Sequence, residues 1–403
     1  MIRTLTFSTL FPNSAQPSHG IFVANRLSHL LNSGRVSTKV VAPTPWFPST
    51  NPRFGEYARY AAVPRVEQRF GTHVYHPRFP VIPKIGMLFA PLLLYLGARA
   101  SVASILRQGF NFDLIDAHYF YPDGVAAVLL GRTFGKPVVI TARGTDINRI
   151  ADDPLPRRMI QWAANEAAGV ITVCQALKDR LVEIGVNSRP IRVLRNGVDL
   201  EIFQPADRAA ARAKYGLTGR VVLSVGHLIR RKAHHLVIEA LTLLPDETLL
   251  IAGSGPEKAA LRALCLRLGV AERVHFLGQL PHAELAELYS AADVLVLASE
   301  REGWANVLLE AMACGTPVVA SDVWGTPEVV TERAAGLLVA DRTGPTFAAA
   351  IARLLANPPS RAATRTYAER FSWDATTAGQ VELFNSAIVR PSCVLPCRAI
   401  EPS

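Results

Sequence analysis

Residues 292–321, ADVLVLASEREGWANVLLEAMACGTPVVAS, constrain the fold more than any other part of the chain. Residues 294–298 make an apolar run whose length suits a buried strand of a parallel sheet. Polar and small residues at 299–303 predict a turn. Asn306 is the expected N-cap of the helix that follows, and Gly315 is placed to close that helix at C′. Thr316-Pro317 leads into a second apolar run, Val318-Val319-Ala320. The unit reads strand, loop, helix, strand, with the loop at the carboxyl end of the first strand. Parallel α/β sheets bind ligands there, and a helix N-terminus offers free amides to an anion.

Two carboxylates lie in this unit, Glu302 in the loop and Glu310 in the helix. Asn306 and Glu310 are four apart and share a helix face. The remaining helix residues are almost all apolar, so Glu310 costs roughly several kcal/mol unless a polar partner satisfies it. Ligand hydroxyls would serve, and so would a structural arginine.

The pair Glu302-Gly303 and Glu310, followed by Ala311-Met312-Ala313-Cys314-Gly315-Thr316-Pro317-Val318-Val319, resembles the signature of family-4 glycosyltransferases. The resemblance implies an α/β fold of two Rossmann-like domains facing a cleft, the GT-B architecture. It also implies sugar transfer with retention of configuration from a nucleotide-diphospho-sugar.

At 403 residues the chain accommodates two domains. A hydrophobic content of 49% with 19% charged residues suits a folded protein. Reading no apolar stretch of 18 or more residues, we expect no membrane-crossing helix. Residues 5–10 read as a first strand instead of a secretory signal, which predicts a cytosolic location. Cys174, Cys265 and Cys314 stand singly in apolar surroundings and read as buried thiols. Cys393 and Cys397 form a weak metal pair in a Pro-rich tail. We expect no metal site and no organic cofactor, the sugar nucleotide being a substrate.

Charge is uneven. Residues 1–150 carry 16 Lys+Arg against 6 Asp+Glu, which leaves 27 of each in the remainder. That places the whole +10 excess in the first part of the chain. Such a balance suits an anionic surface or substrate. Without a recognisable nucleic-acid module, an anionic membrane leaflet on the inner face of the cell membrane is the better partner, each Lys or Arg near it gaining about 1 kcal/mol.

In the first domain, residues 5–10 predict a strand, 12–20 a small-residue loop and 21–31 a helix. By resemblance that loop faces acceptor and donor diphosphate, though only Gly20, beside His19, remains of the usual glycines. Residues 38–42 predict a strand, 44–84 an irregular excursion of the kind that forms binding loops. The apolar run 85–96, interrupted by Pro91, fits either core or a membrane surface. Strands at 114–117 and 138–141 deliver His118 and Arg143 with Asp146 to one edge. A surface cluster explains Asp146 equally well. The family usually has a histidine where Arg143 stands. Arginine cannot act as a base, so Arg143 there would contact phosphate or sugar. Residues 116–124 with 141–148 resemble a subgroup that assembles exopolysaccharide or teichuronic-type polymers.

Residues 170–173 and 191–194 predict the last strands before the boundary, where Arg195-Asn196-Gly197-Val198-Asp199 resembles the family's hinge. The expected division is 1–194, 195–371, a returning helix at 372–389 and a disordered tail at 390–403. In the second domain a strand at 221–225 opens onto Gly226-His227-Leu228-Ile229-Arg230-Arg231-Lys232. Gly226 lets backbone approach a ligand, and the three cations suit a diphosphate. The family has an arginine after that glycine and Lys-Gly at the end of the motif. Here His227 and Lys232-Ala233 stand there, with Arg230 or Arg231 as substitutes. Gly253-Ser254-Gly255 lacks the further glycine of a nicotinamide fingerprint. Gly278 and Leu280 resemble the loop lining the nucleobase.

By resemblance, Glu302 binds donor-sugar hydroxyls and Glu310 the ribose. Lys232, Arg231 and Arg230, with the backbone of Gly303, Trp304, Ala305, Asn306 and Val307, would hold the diphosphate. The acceptor, a saccharide or lipid-linked saccharide, is expected on the basic first domain. A nucleotide-sugar epimerase and a non-catalytic membrane-binding protein are the competing readings.

Overall fold

The computed structural model describes residues 1–81, 86–186 and 190–389. Cys393, Cys397, Lys84, Ile85 and the expected tail lie outside the described residues. The chain divides into two compact units; the division falls between Leu194 and Arg195, and Cys174–Ala176 belong to the second unit. The final helix, Asp374–Val389, belongs from Ala375 onward to the first unit.

The first unit holds an eight-stranded sheet. Its strands are β1 (Ile2–Phe7), β2 (Val36–Val41), β3 (Val66–Arg69), β4 (Thr72–Tyr75), β5 (Leu114–His118), β6 (Val138–Ala142), β7 (Gly169–Thr172) and β8 (Ile191–Val193). They lie in the order β8-β7-β6-β5-β1-β2-β4-β3, all parallel except edge strand β3. β5 and β6 are buried at every residue, as strands covered by helices on both faces must be. Phe384 and Ala387 of the final helix join Phe11, Val23 and Leu27 in one core.

The second unit holds six parallel strands: β9 (Arg220–Val225), β10 (Glu247–Ala252), β11 (Val274–Gly278), β12 (Val294–Leu297), β13 (Val318–Ser321) and β14 (Gly336–Val339). Their order, β11-β10-β9-β12-β13-β14, is that of a doubly wound dinucleotide-type sheet. In both sheets the strand order reverses beside the first strand, between β1 and β5 and between β9 and β12. Ligands of open α/β sheets bind outside the carboxyl ends of the strands at such points.

Several expectations need correction. β1 ends at Phe7 rather than residue 10, because the Thr9 amide is drawn away to the Asp123 carboxylate. The excursion at 44–84 is more ordered than expected. It contains the helix Glu56–Ala62 and the β3–β4 hairpin, whose two turn residues Phe70 and Gly71 both have positive φ, as a type I′ turn requires. Phe70 tolerates this while its ring packs edge-on against Phe11 at 5.9 Å.

The apolar run at 85–96 is the start of a 22-residue helix, Gly86–Arg107, long and apolar enough to cross a bilayer by length and composition. Leu94, Ala98, Val102 and Ile105 form a fully buried stripe along it, so this face belongs to the core of the first unit. Pro91 deprives the Met87 carbonyl of its helical donor, and the Tyr121 hydroxyl supplies one instead. Met87, Leu88, Phe89, Leu92 and Leu96 are exposed.

Candidate active site

The two switch points are built from different chemistry. In the second unit, β9 is followed by Gly226, whose amide donates to the Ala252 carbonyl at 3.0 Å. Leu228 likewise donates to Ser254 at 2.9 Å. The loop therefore lies flat against Gly253-Ser254-Gly255. A β-carbon on Gly253 would stand 1.9 Å from the Gly226 oxygen, and one on Gly255 would stand 2.4 Å from the Leu228 oxygen. These two glycines allow loop-to-loop contact, which accounts for a glycine pair without a nicotinamide fingerprint.

Arg230–Lys232 forms a single 3-10 turn, and Ala233 follows at φ 51°, in the left-handed region. That backbone is why glycine suits the position after the lysine, and alanine costs roughly 1–2 kcal/mol there. The helix His234–Leu241 starts directly afterwards. His234 Nδ1 pairs with the Ser224 hydroxyl at 2.9 Å, and burial followed by the nearby Lys232 charge pushes its pKa down to about 4.

The β9 and β12 loops are joined by main-chain and side-chain bonds. The Glu300 amide donates to the Arg231 carbonyl at 2.8 Å, and Arg231 Nη1 donates to the Arg301 carbonyl at 2.6 Å. Lys232 Nζ donates to Glu302 Oε1 at 2.5 Å, and Arg231 Nη1 lies 3.9 Å from Glu302 Oε2. Burial alone would raise the Glu302 pKa, but Lys232 and Arg231 reverse the effect and hold the carboxyl below its ordinary value. Glu302 is thus an anion that holds Lys232 in place. Arg230 and His227 are exposed.

Asn306 is the first residue of the helix Asn306–Ala313 and not its N-cap; Ala305 occupies the cap without a side-chain hydrogen bond. The Asn306 amide donates to the Trp304 carbonyl at 3.1 Å, and its Oδ1, instead of capping, accepts from Asn196 Nδ2 at 3.3 Å. Gly315, at φ 81°, closes the helix as expected. Its amide reaches Met312 and the Thr316 amide reaches Ala311, both at 2.9 Å, the paired bonds of a Schellman motif.

Glu310, one turn into that helix, accepts from the Tyr289 hydroxyl at 2.8 Å, and burial raises its pKa. Tyr289 was not legible as a partner because it lies in the preceding helix. Glu328 was also missed. It accepts from Arg195 Nε at 2.9 Å and from the Gln175 amide at 2.6 Å. Gly303 lies under Gly325, where a β-carbon would come within 2.2 Å of the Gly303 oxygen. Trp304 is buried, with its ring 6.2 Å from that of Phe371. Val307 follows Asn306 in the first turn, where the Leu308 amide donates to the Ala305 carbonyl at 3.0 Å. Gly278, at φ 76°, ends β11, its carbonyl accepting from the Gly253 amide at 2.7 Å, and Leu280 is half-buried just beyond.

In the first unit the charged groups are buried and bound to one another. Arg143 Nη2 donates to His118 Nδ1 at 2.7 Å, so the ring proton sits on Nε2 and faces Asp116 Oδ2 at 3.2 Å. Asp116 also accepts from Gln380 Nε2 at 3.1 Å, and Gln380 Oε1 accepts from Arg26 Nε at 2.8 Å. Burial lowers the His118 pKa despite Asp116. Burial, reinforced by Arg26, brings Arg143 down to about 9. Asp146 accepts from the amides of Phe120 and Gly144, both at 2.7 Å, which makes it a loop organiser. Gly20 opens the first helix at φ 63°, where a β-carbon would collide with the Leu10 carbonyl at 2.3 Å.

Comparison with known proteins agrees with this geometry. Residues 207–371 match the family described as "Glycosyl transferases group 1", and residues 25–202 match "Glycosyltransferase Family 4". A D-inositol 3-phosphate glycosyltransferase of Mycobacteroides abscessus is 36% identical over 324 residues, 74% of this chain and 72% of the relative. The N-acetyl-alpha-D-glucosaminyl L-malate synthase of Bacillus anthracis is 30% identical over 61% of this chain and 67% of its own length. Among solved structures, sucrose-phosphate synthase from Thermosynechococcus elongatus superposes with a TM-score of 0.79 at 24% identity, covering 96% of this chain and 99% of that one. Anabaena HepE, solved in complex with UDP, gives 0.71 at 21%, covering 96% of this chain and all (100%) of that one. The fold is the two-domain GT-B architecture, and a transferase prevails over the epimerase and non-catalytic readings. With both units matched by glycosyltransferase families and a transferase relative at 36% identity, the chain belongs to glycosyltransferase family 4.

Proposed function

We propose that this glycosyltransferase takes a sugar from a nucleotide-diphospho-sugar on its second unit and transfers it, with retention and without a metal ion, to a saccharide or lipid-linked saccharide. The observation that carries the reading is the Lys232–Glu302 pair at the β9/β12 switch point, with Arg231 engaged beside it and Arg230 exposed. Breaking the bond between the sugar carbon and the β-phosphate oxygen leaves negative charge on the diphosphate. Lys232, Arg231, Arg230 and the first-turn amides of the Asn306–Ala313 helix are fixed charges and dipoles that stabilise it without solvent reorganisation. Glu302 would release Lys232 to the phosphate and turn to the sugar hydroxyls. Glu310 would take the ribose, and Gly278 with Leu280 the base. His118, neutral and with both ring nitrogens engaged, positions Arg143 instead of acting as a base.

The product would be part of a cell-surface polysaccharide of exopolysaccharide or teichuronic type, made in the cytoplasm against the inner face of the membrane. Supporting the membrane location are the exposed Leu88, Phe89, Leu92 and Leu96 and the +10 charge excess of residues 1–150. The test is nucleotide release from a panel of UDP-, ADP- and GDP-sugars, with and without acceptor. Release that depends on donor identity and rises with acceptor supports the reading. Conversion of the donor to its epimer without release, or no turnover of any donor, rejects it.

A further inference from the structure

The relatives named above act on inositol phosphate and malate, both anionic, but the first unit contains a cavity of different character. It encloses about 550 Å³, a size that suits a small ligand, beside the loop that follows β1. One wall is polar and comes from that loop: Thr9, Asn13, Gln16 and His19. Much of the remaining lining is apolar or aromatic, with Tyr57, Phe79, Val81, Met87, Ala90 and Leu93. Among the described residues that line it there is no Lys, Arg, Asp or Glu. An anion held against these described residues would lose its water without meeting a counter-charge among them.

The polar wall has defined hydrogen-bonding sense. Asn13 is 4% exposed, and its Oδ1 accepts from the amides of Ala15 at 3.1 Å and Gln16 at 2.9 Å. That fixes the amide's orientation and leaves Nδ2 as a donor. His19 Nε2 lies 3.0 Å from the Thr9 carbonyl, which can only accept, so Nε2 donates and in the neutral ring Nδ1 is the acceptor. Thr9 is itself held at its amide and hydroxyl by the buried Asp123. One donor and one acceptor lining the same cavity complement a hydroxyl group. The apolar wall continues onto a surface: Met87, Ala90 and Leu93 line the cavity while Leu88, Phe89 and Leu92 of the same helix are exposed.

We infer that this cavity receives the acceptor as an uncharged alcohol or glycoside carrying an apolar body, and not as a sugar or inositol phosphate. The hydroxyl-bearing end meets Asn13 and His19, and the apolar body lies along Met87, Ala90 and Leu93. The inference rests on glycosyl transfer as proposed above, but its test needs no donor and can fail independently of that reading.

The test is calorimetric titration of the whole chain with hexyl β-D-glucoside, glucose and D-inositol 3-phosphate, each without donor. Hexyl glucoside is expected to bind at least tenfold more tightly than the other two. Ala90→Trp fills the cavity and should abolish that preference, as should Met87→Asp, which alters an exposed residue and leaves the core intact. Asn13→Asp keeps the two loop bonds but removes the donor, and should weaken hexyl glucoside about fivefold. The inference is overturned if D-inositol 3-phosphate binds as tightly as hexyl glucoside, or if both cavity variants, folded by circular dichroism, bind hexyl glucoside as the parent does. Absence of turnover with every donor would instead reject the transferase reading and leave this binding result standing.

Discussion

Both sheets reverse their strand order beside the first strand, yet the two switch points handle charge in opposite ways. At the β9/β12 edge a buried glutamate holds a lysine in place while Arg230 and His227 face solvent. At the β1/β5 edge His118, Asp116, Arg143, Arg26 and Gln380 bond to one another inside the unit. The same topology thus gives one edge whose cations can meet an anionic ligand and another whose ions organise the interior. Ligand chemistry is decided by which side chains the loops carry, not by the sheet.

Removing Lys232 strikes this contrast hardest. Lys232→Ala is expected to lower donor turnover by about a hundred- to a thousandfold, the scale of losing one transition-state donor, measured as nucleotide release. Full activity in a folded variant would remove the residue from the site.

The carboxylates at the two edges should also respond to pH with opposite signs. Asp123, buried beneath Thr9, has its pKa pushed up to about 7, chiefly by burial and despite the Thr9 bonds. A carboxyl raised in the folded state binds more protons there than when unfolded. Stability therefore falls as pH rises from about 4 to about 7, by roughly 3 kcal/mol, and stays level above. Asp123→Asn should flatten the melting temperature over that range. Glu302 is lowered instead, so its contribution is present above its unfolded pKa and is lost on acidification through the folded value. A parent protein whose stability is flat from pH 4 to pH 7 would contradict the assignment for Asp123.

Glu310→Gln preserves an oxygen for the Tyr289 hydroxyl, so the fold should survive. Donor turnover is nevertheless expected to drop by about tenfold to a hundredfold, because one of the two oxygens proposed to accept from the ribose hydroxyls becomes an amide donor. The melting curve and the rate, taken together, separate this from a structural role.

The smallest effect concerns backbone. Ala233→Gly relieves the left-handed strain after Lys232 and should stabilise the second unit by about 1 kcal/mol, visible as a raised melting temperature.

Legibility in the sequence followed the range of the interactions. The 292–321 unit was readable because its strands, turn and Gly315 cap act within a few residues. Glu302 and Lys232 were nameable from their motifs, although only the fold shows them 2.5 Å apart. Asn306 was misplaced by one position because Asn196, 110 residues earlier, engages its side chain. The Phe70-Gly71 turn escaped notice since Asn-Gly is the usual signal. The 22-residue helix was cut short because the uncharged run stops before Arg99, although the helix continues to Arg107. Arg26 and Gln380, 354 residues apart, left no local trace at all.

The most direct test of the donor site is a crystal structure with whichever of UDP, ADP or GDP binds most tightly. The account predicts diphosphate oxygens about 3 Å from Lys232 Nζ and from a main-chain amide among residues 303–307. A nucleotide bound on another surface, with Lys232 still on Glu302, would contradict it.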